Sequence, residues 1–305
     1  MSASPIAAAG VRIPARSGSV SNAKARPDPF FLLGEYARSA RPRSARQACR
    51  PRRLAISRAV QPAACDCFEQ DGVMTREWRS DEVLHGQGLP AGWIEDRMGQ
   101  PFSGTVHSIF PGGFEAYARI FHPAVVWNGQ EAESVSWSDV AVSGGLTVHP
   151  QMQWESIYRK GVDSALYVDD LPAIGRLAPG LRRELAAMLA EFTTSRECYF
   201  AFWEGNFDET QISSAPGLES TSGRRYHVFL GSLSRAGHTF AGESPNLWWP
   251  ADGEWFVSTD IDLMSTFVAG SERCIEQILD SSTLEALRAD LGHGITVSSD
   301  TVNPR

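Results

Sequence analysis

Cysteine is scarce in this chain: there are five thiols in 305 residues, and Cys49, Cys65 and Cys67 all lie within the first 73. The other two, Cys198 and Cys274, do not make a disulfide framework, which agrees with a reducing compartment. We therefore expect a cytoplasmic protein. Cys65 and Cys67 have no second Cys or His pair at the spacing of a metal finger, so we expect no zinc site and no cofactor.

Long apolar runs are also missing. No stretch, the run Phe30–Leu33 included, reaches the roughly 18 apolar residues that a membrane span needs. No apolar segment of a secretory signal is visible near the N-terminus. The sequence therefore predicts no membrane partner.

Tryptophan and histidine are absent from residues 1–73, although the chain has nine and seven of them. This segment carries 12 basic and 5 acidic residues and is rich in Arg, Ala, Pro and Ser. Such a composition predicts a disordered basic segment. A transit peptide and a nucleic-acid-binding arm are two explanations. We favour a third, an over-extended gene start before Met74, because a GC-rich frame translated by accident has this composition.

Residues 74–305 have the opposite charge, with 16 basic and 31 acidic residues. This excess of negative charge argues against nucleic-acid binding by that part. We expect a single α+β domain over 74–305, with two packed lobes near 74–170 and 171–305 as the alternative.

The apolar pattern predicts an α+β fold with one mixed or antiparallel sheet flanked by helices. Three helices are expected: one over 181–192 with Arg182 on its outer side, one after Ser271, and one opening at Ser282, where Glu285 completes a capping box. Strands are expected at 104–110, 114–121, 198–203, 226–230 and 255–263, the first two joined as a hairpin through Gly112-Gly113.

Nucleophile and nucleotide-binding motifs are missing: there is no Gly-x-Ser-x-Gly elbow, phosphate loop or dinucleotide glycine fingerprint. The remaining catalytic candidates are Asp260 and Asp262, two residues apart on a predicted strand, with His122 or His149. Two carboxylates on one face could share a divalent cation or act as acid and base. The alternative is that both lie on the wet face of the strand and serve solubility, with each histidine at a strand end before a proline.

The segment 244–255 is the most aromatic part of the chain. Trp248, Trp249 and Trp255 lie between proline and glycine residues, ahead of a predicted strand. Such a loop can be a recognition surface, because tryptophan dominates binding hot spots. The alternative is that these rings close one end of the core. Glu204 and Asn206, which follow Trp203 in a similar pattern, are the other binding candidates.

Several of these segments resemble an uncharacterised conserved protein family of high-GC actinobacteria. This resemblance implies no particular activity. The resemblance rests on Trp248-Trp249-Pro250-x-Asp252, Trp255, Asp260-Ile261-Asp262-Leu263, Gly113-Phe114-Glu115-Ala116-Tyr117 and His122-Pro123. A second, shorter resemblance is to SUKH-type immunity proteins, which are intracellular α+β domains that bind toxins. It rests on Leu89-Pro90-Ala91-Gly92-Trp93 and Gly112-Gly113-Phe114.

The sequence therefore predicts a soluble intracellular binding or interaction module, similar in class to an immunity protein, whose partner is an unidentified protein or small molecule. The alternative is a metal-dependent or acid/base hydrolase that uses Asp260, Asp262 and one histidine. Short distances from these carboxylates to a histidine inside a concave pocket would favour the enzyme.

Overall fold

The structure is a computed structural model that describes residues 76–84, 89, 91–158, 166–208, 210–212, 217–220 and 222–303. The prediction for residues 1–73 lies outside these ranges. The helices in the described part are α1 (Gly92–Arg97), α2 (Trp137–Ser143), α3 (Trp154–Ile157), α4 (Pro179–Leu189) and α5 (Glu272–Leu279). The strands are β1 (Ala116–Phe121), β2 (Ala124–Asn128), β3 (Glu131–Val135), β4 (Cys198–Trp203), β5 (Leu218–Glu219), β6 (Arg225–Gly231), β7 (Leu247–Pro250), β8 (Phe256–Ser258), β9 (Ser265–Gly270) and β10 (Ala286–Ala289).

Eight of these strands form one antiparallel sheet in the order β10-β1-β9-β8-β7-β4-β6-β5. Strands β2 and β3 form a separate hairpin. The predicted fold class is confirmed: the protein is α+β, with an antiparallel sheet flanked by helices. The division of 74–305 into one domain or two lobes stays a prediction. No helix in the described ranges combines the length and the apolar character that a bilayer crossing requires.

One face of the sheet packs against α4 and α5. Alternate residues of each strand point to this face, as Phe200 and Phe202 do from β4. Helix α4 contributes Leu185 and Leu189, both fully buried, and α5 contributes Ile278. Burying each of these side chains stabilises the fold by about 1.5–3 kcal/mol. The helix predicted over 181–192 is confirmed, and its last turn is a 3-10 turn.

The position of Arg182 differs from the one that the sequence predicted. The sequence places it on the outer side, but its side chain is buried and donates three hydrogen bonds. The guanidinium donates to the carbonyl oxygens of Leu177 (2.6 Å), Ala236 (3.0 Å) and Gly237 (3.1 Å). The buried cation therefore ties α4 to the loop before it, at Leu177, and to the loop at Ala236 and Gly237.

The opposite face of the sheet has two coverings. At the β1 and β9 end, Phe121 packs against Trp137 of α2, which in turn packs against Trp154 of α3, in a second apolar cluster. Over the middle of the sheet, Trp93 of α1 and Phe110 pack edge-on against Phe256 of β8. A narrow space remains between α1, together with the loop before β1, and the β5–β6 side of the sheet.

The helix predicted after Ser282 is wrong, because residues 286–289 form β10. Glu285 is not the N3 residue of a capping box. Its carboxylate instead accepts the backbone N–H groups of Trp137 (2.7 Å) and Ser138 (2.6 Å), the first two residues of α2. Negative charge at a helix N-terminus is favourable, so the same residue type serves a helix distant in sequence. The helix after Ser271 is confirmed as α5, and the Ser271 hydroxyl accepts the Cys274 N–H.

The strand predicted over 104–110 is also wrong. Residues Val106–Ser108 form a 3-10 turn, in which the N–H groups of Val106 and His107 donate to carbonyl oxygens of the loop after β10. The predicted strand at 114–121 is confirmed as β1, and those at 198–203 and 226–230 as β4 and β6. However, β1 does not form a hairpin through Gly112-Gly113, because it pairs with β9 and β10.

Candidate functional site

The tryptophan-rich segment is a strand of the sheet rather than a surface loop. Trp248 and Trp249 belong to β7 and are each 1 % exposed, and Trp255 is 0 % exposed. Trp248 stacks on Phe200 of β4, while Trp249 stacks on Tyr199 on the other face. All three rings are therefore core residues, and none presents its ring for contact with a partner.

Glu204 and Asn206 lie at the surface, in the 3-10 turn that follows β4. Asn206 is exposed. The Glu204 carboxylate accepts from the Arg225 guanidinium at 2.7 Å, with both side chains partly open to solvent. This pair holds the turn against the start of β6. The described contacts of this pair are those of an ordinary surface ion pair, and none of them indicates a ligand site.

His122 and His149 are not brought together with the two aspartates. His122 is 1 % exposed, directly after β1, and its ring bonds to the Ala173 carbonyl (2.6 Å) and the Thr266 hydroxyl (2.9 Å). Burial lowers the pKa of His122 to about 4, so the ring is neutral at pH 7. His149 bonds instead to the buried carboxylate of Asp300 at 2.9 Å.

Asp260 and Asp262 do not lie on a wet strand face. The strand ends at Ser258, and a turn follows in which the Asp260 side chain is only 4 % exposed. Both carboxylates bond to one guanidinium, that of Arg224: Nη1 donates to Asp260 and Nη2 to Asp262, the latter at 3.0 Å. Arg224 supplies the positive charge that a shared divalent cation would otherwise supply. The prediction that both aspartates lie on the solvent-exposed face of a strand is therefore wrong.

No three His, Cys, Asp or Glu residues of the described ranges lie close enough to hold a metal ion. This bears on the hydrolase alternative, whose proposed residues the fold separates. His122 bonds to Ala173 and Thr266. His149 bonds to Asp300, and the two aspartates bond to Arg224. The geometry that would favour an enzyme is not formed by these four residues.

The ion pair lies in a cleft between the covering over the middle of the sheet and the β5–β6 side. The cavity volume of this cleft is about 30 Å³, and the empty space between its lining atoms, open solvent included, is about 500 Å³. Its apolar walls come from α1, the loop before β1, β5, β7, β8 and the turn after it, namely Ile94, Met98, Ile109, Leu218, Leu247, Phe256 and Ile261. Its polar lining is Ser108, Ser220, Ser222, Arg224, Tyr226, Asn246, Ser258, Thr259 and Asp260.

Burial and charge set the protonation of the cleft. Burial raises the pKa of the Tyr226 hydroxyl, although the nearby Arg224 guanidinium opposes the rise. Burial also disfavours the charged form of Arg224, but Asp260, Tyr226 and Asp262 outweigh it and raise the pKa of the guanidinium. At neutral pH the tyrosine is therefore neutral and the arginine charged.

Arg224 and Tyr226 are the site residues that sequence reasoning missed. Arg224 lies at the end of the Gly-, Ser- and Thr-rich connection 204–225, which has no periodic pattern, and Tyr226 lies in the predicted strand that follows it. The available signal was the pair Arg224-Arg225 directly before a buried apolar strand. A charged residue next to a core strand lowers the stability of the fold unless it is paired. The pair therefore indicates an acidic partner on a neighbouring strand.

Comparison with protein-family models, with curated proteins and with solved structures found no match for this chain. The resemblances to the actinobacterial family and to SUKH-type immunity proteins therefore stay predictions.

Proposed function

We propose that this protein is a binding module and that its ligand site is the cleft around the Arg224–Asp260 ion pair. The observation that carries the proposal is the composition of the cleft: apolar walls enclose a small set of convergent polar groups around a buried charge pair. Ligand sites of proteins have this composition, in which apolar surface gives affinity and a few polar groups fix orientation.

The acidic surface and the fold class fit this proposal but do not identify the partner. The cleft is narrow, so it suits a small molecule or a single side chain of a protein partner better than a flat protein surface. The hydrolase alternative has less support, because Asp260 and Asp262 are engaged by Arg224 and each candidate histidine has another partner.

The proposal is tested by screening small fragments against the full chain in solution. The set contains aliphatic amines, carboxylates, alcohols and aromatic amides, and binding is followed by changes in the ¹H–¹⁵N correlation spectrum. We expect fragments that bind to shift the signals of Ser222, Arg224 and Thr259. Shifts confined to other parts of the protein, or none with any fragment, would refute the cleft as the ligand site.

A pair of variants provides the control. Ser222→Trp places a large ring at the mouth of the cleft and should abolish fragment binding there. Ser282→Trp places the same ring in the open groove between α4 and α5, where Ser282 lies with Glu184 and Glu276, and should leave binding unchanged. Binding that survives Ser222→Trp in a folded protein would also count against the proposal.

A further inference from the structure

We propose that the outer edge of β3 binds an extended segment of a protein partner that carries basic side chains at alternate positions. This edge belongs to residues Glu131–Val135 in the β2–β3 hairpin, which is separate from the eight-stranded sheet. These residues do not line the cleft around Arg224, so the proposal concerns a second surface and does not depend on the proposed function. It comes from the directions of the backbone hydrogen-bonding groups along the hairpin.

The backbone contacts of β2 show which residues of the hairpin point outwards. The Val125 N–H donates to the Asp170 carbonyl oxygen at 3.0 Å, and the Val125 carbonyl oxygen accepts from the Asp169 N–H at 2.9 Å. The Trp127 N–H donates to the Asp169 carboxylate at 2.8 Å. Val125 and Trp127 therefore direct their backbone groups away from β3.

The register of the hairpin then fixes the directions on β3. Val125 is paired with Ser134, and Trp127 is paired with Ala132. Two paired residues of an antiparallel ladder either bond to each other or both point outwards. Ala132 and Ser134 therefore direct their N–H and C=O groups to the outer side of β3. Both residues are exposed, and no residue of the described ranges bonds to these four groups.

The edge of β2 shows how this hairpin accepts a further chain. There the protein itself adds a short antiparallel segment, residues 169–170, which bonds to Val125. The outer edge of β3 offers the same kind of arrangement, with two N–H donors and two C=O acceptors at the spacing of an extended strand. An unpaired edge is a template for another extended chain, and strand addition is a general mode of peptide binding.

The acidic side chains of β3 decide which chain can add. Glu131 and Glu133 are exposed, lie on one face of the hairpin, and have no ion-pair partner in the described part of the chain. Segments 124–143 and 166–175 together contain five acidic residues and no Lys, Arg or His. A second copy of β3 would bring like charges together, which destabilises the pairing. A basic strand brings opposite charges together, so charge complementarity selects it.

The pairing also sets the spacing of the basic side chains. In an antiparallel addition, the partner residue opposite Ala132 exchanges two hydrogen bonds with it, and the residues opposite Glu131 and Glu133 form non-hydrogen-bonded pairs. The side chains of such pairs share a face and approach closely. The partner segment therefore carries Lys or Arg at positions i and i+2, with a residue between them that has a free N–H.

The test measures peptide binding to the full chain by ¹H–¹⁵N titration at pH 7 and low salt. The probe is acetyl-Thr-Thr-Lys-Val-Lys-Thr-Thr-amide. One control peptide has Glu in place of both Lys, and the other has Pro in place of Val, which keeps the charge and removes the central N–H. We expect the probe to shift the Ala132 and Ser134 signals and to bind about tenfold or more tightly than either control. Equal binding of the proline peptide would overturn strand addition.

Two pairs of variants test the edge itself. Ser134→Pro removes an outward N–H at an edge position that tolerates proline and should weaken probe binding about tenfold, whereas Ser134→Thr keeps the N–H and should leave binding unchanged. Glu131→Gln with Glu133→Gln should weaken it about fivefold. Glu191→Gln with Glu197→Gln makes the same change in net charge at exposed positions elsewhere and should have no effect. Unchanged binding in Ser134→Pro, or equal losses in the two double variants, would overturn the proposal.

A second copy of the chain is the other occupant that these measurements can reveal. If the Ala132 and Ser134 signals shift with protein concentration alone and sedimentation shows a dimer, the edge pairs with itself and the proposal is overturned. The absence of any shift at these two signals with the probe would also overturn it, and the cleft would be unaffected. Failure of every fragment at the cleft would refute the proposed function and leave the β3 edge as proposed.

Discussion

Removing the charge of Asp260 gives the sharpest test of the buried ion pair. In Asp260→Asn the Arg224 guanidinium stays in place, with a side chain only 18 % exposed, and loses its more buried partner. Breaking a buried pair from one side costs about 3–5 kcal/mol, because the remaining charge is left in a medium of low polarity. Asp262 still bonds to Arg224, which places our expectation at the lower end, about 3 kcal/mol.

The measurement is urea unfolding followed by tryptophan fluorescence, since the buried tryptophans of the core change environment on unfolding. Asp262→Asn should cost less, about 1 kcal/mol, because its side chain is 15 % exposed and water screens the pair. Asp81→Asn is the control: Asp81 pairs with Arg79 at the surface, where the side chains are 63 % and 75 % exposed. We expect that change to stay within about 0.5 kcal/mol.

The ordering of these three variants decides the reasoning. If Asp260→Asn cost no more than Asp81→Asn, the ion pair would be solvent-screened and the cleft would not be the low-polarity site described above. If Asp260→Asn and Asp262→Asn cost the same, the difference in burial between the two carboxylates would have no energetic meaning.

Three further expectations follow from the core and from two titrating groups. Trp248→Ala should cost about 3–5 kcal/mol in urea unfolding, because a fully buried indole leaves a large cavity; a cost below about 1 kcal/mol would show that the ring is not packed. His122 should stay neutral down to a pKa of about 4, with the proton on Nδ1, as read from imidazole ¹⁵N shifts; because the unfolded residue titrates near 6.5, stability should fall as pH drops from 6.5 towards 4. The hydrogen bond from Arg235 lowers the pKa of Glu82 from 4.5 to about 2, so its contribution is present above pH 4.5 and lost as pH falls towards 2; Glu82→Gln should remove that part of the acid dependence, and an unchanged pH profile would contradict the pairing.

The parts of the fold that the sequence predicted are those whose signal is local. Strands β4 and β6 are continuous apolar runs, and α4 has an apolar stripe over three turns, so their type follows from neighbours within one element. Glu285 shows the limit of this approach. Its position after Ser282 matches a helix start, but the N–H groups that it accepts belong to residues about 150 positions earlier.

The candidate site was mispredicted for the same reason. The positions of Asp260 and Asp262 suggest a shared cation or a wet strand face, and the choice depends on what lies opposite them. What lies opposite is Arg224, 36 and 38 positions earlier, in a connection without a pattern. Trp248 is buried because β7 is an inner strand of the sheet. The proline and glycine residues around this segment do not indicate that position.

The position of β1 has a consequence for how the chain acquires its structure. This strand lies between β9 and β10, so residues 116–121 find both of their sheet neighbours only among residues 265–289. During synthesis on a ribosome, β1 therefore emerges long before either neighbouring strand has been made. Its apolar face stays exposed while about 150 further residues are added. Closing so long a loop is slow compared with forming a hairpin. A chain that stops before β9 keeps the sequence of β1 but lacks both of the strands with which β1 pairs.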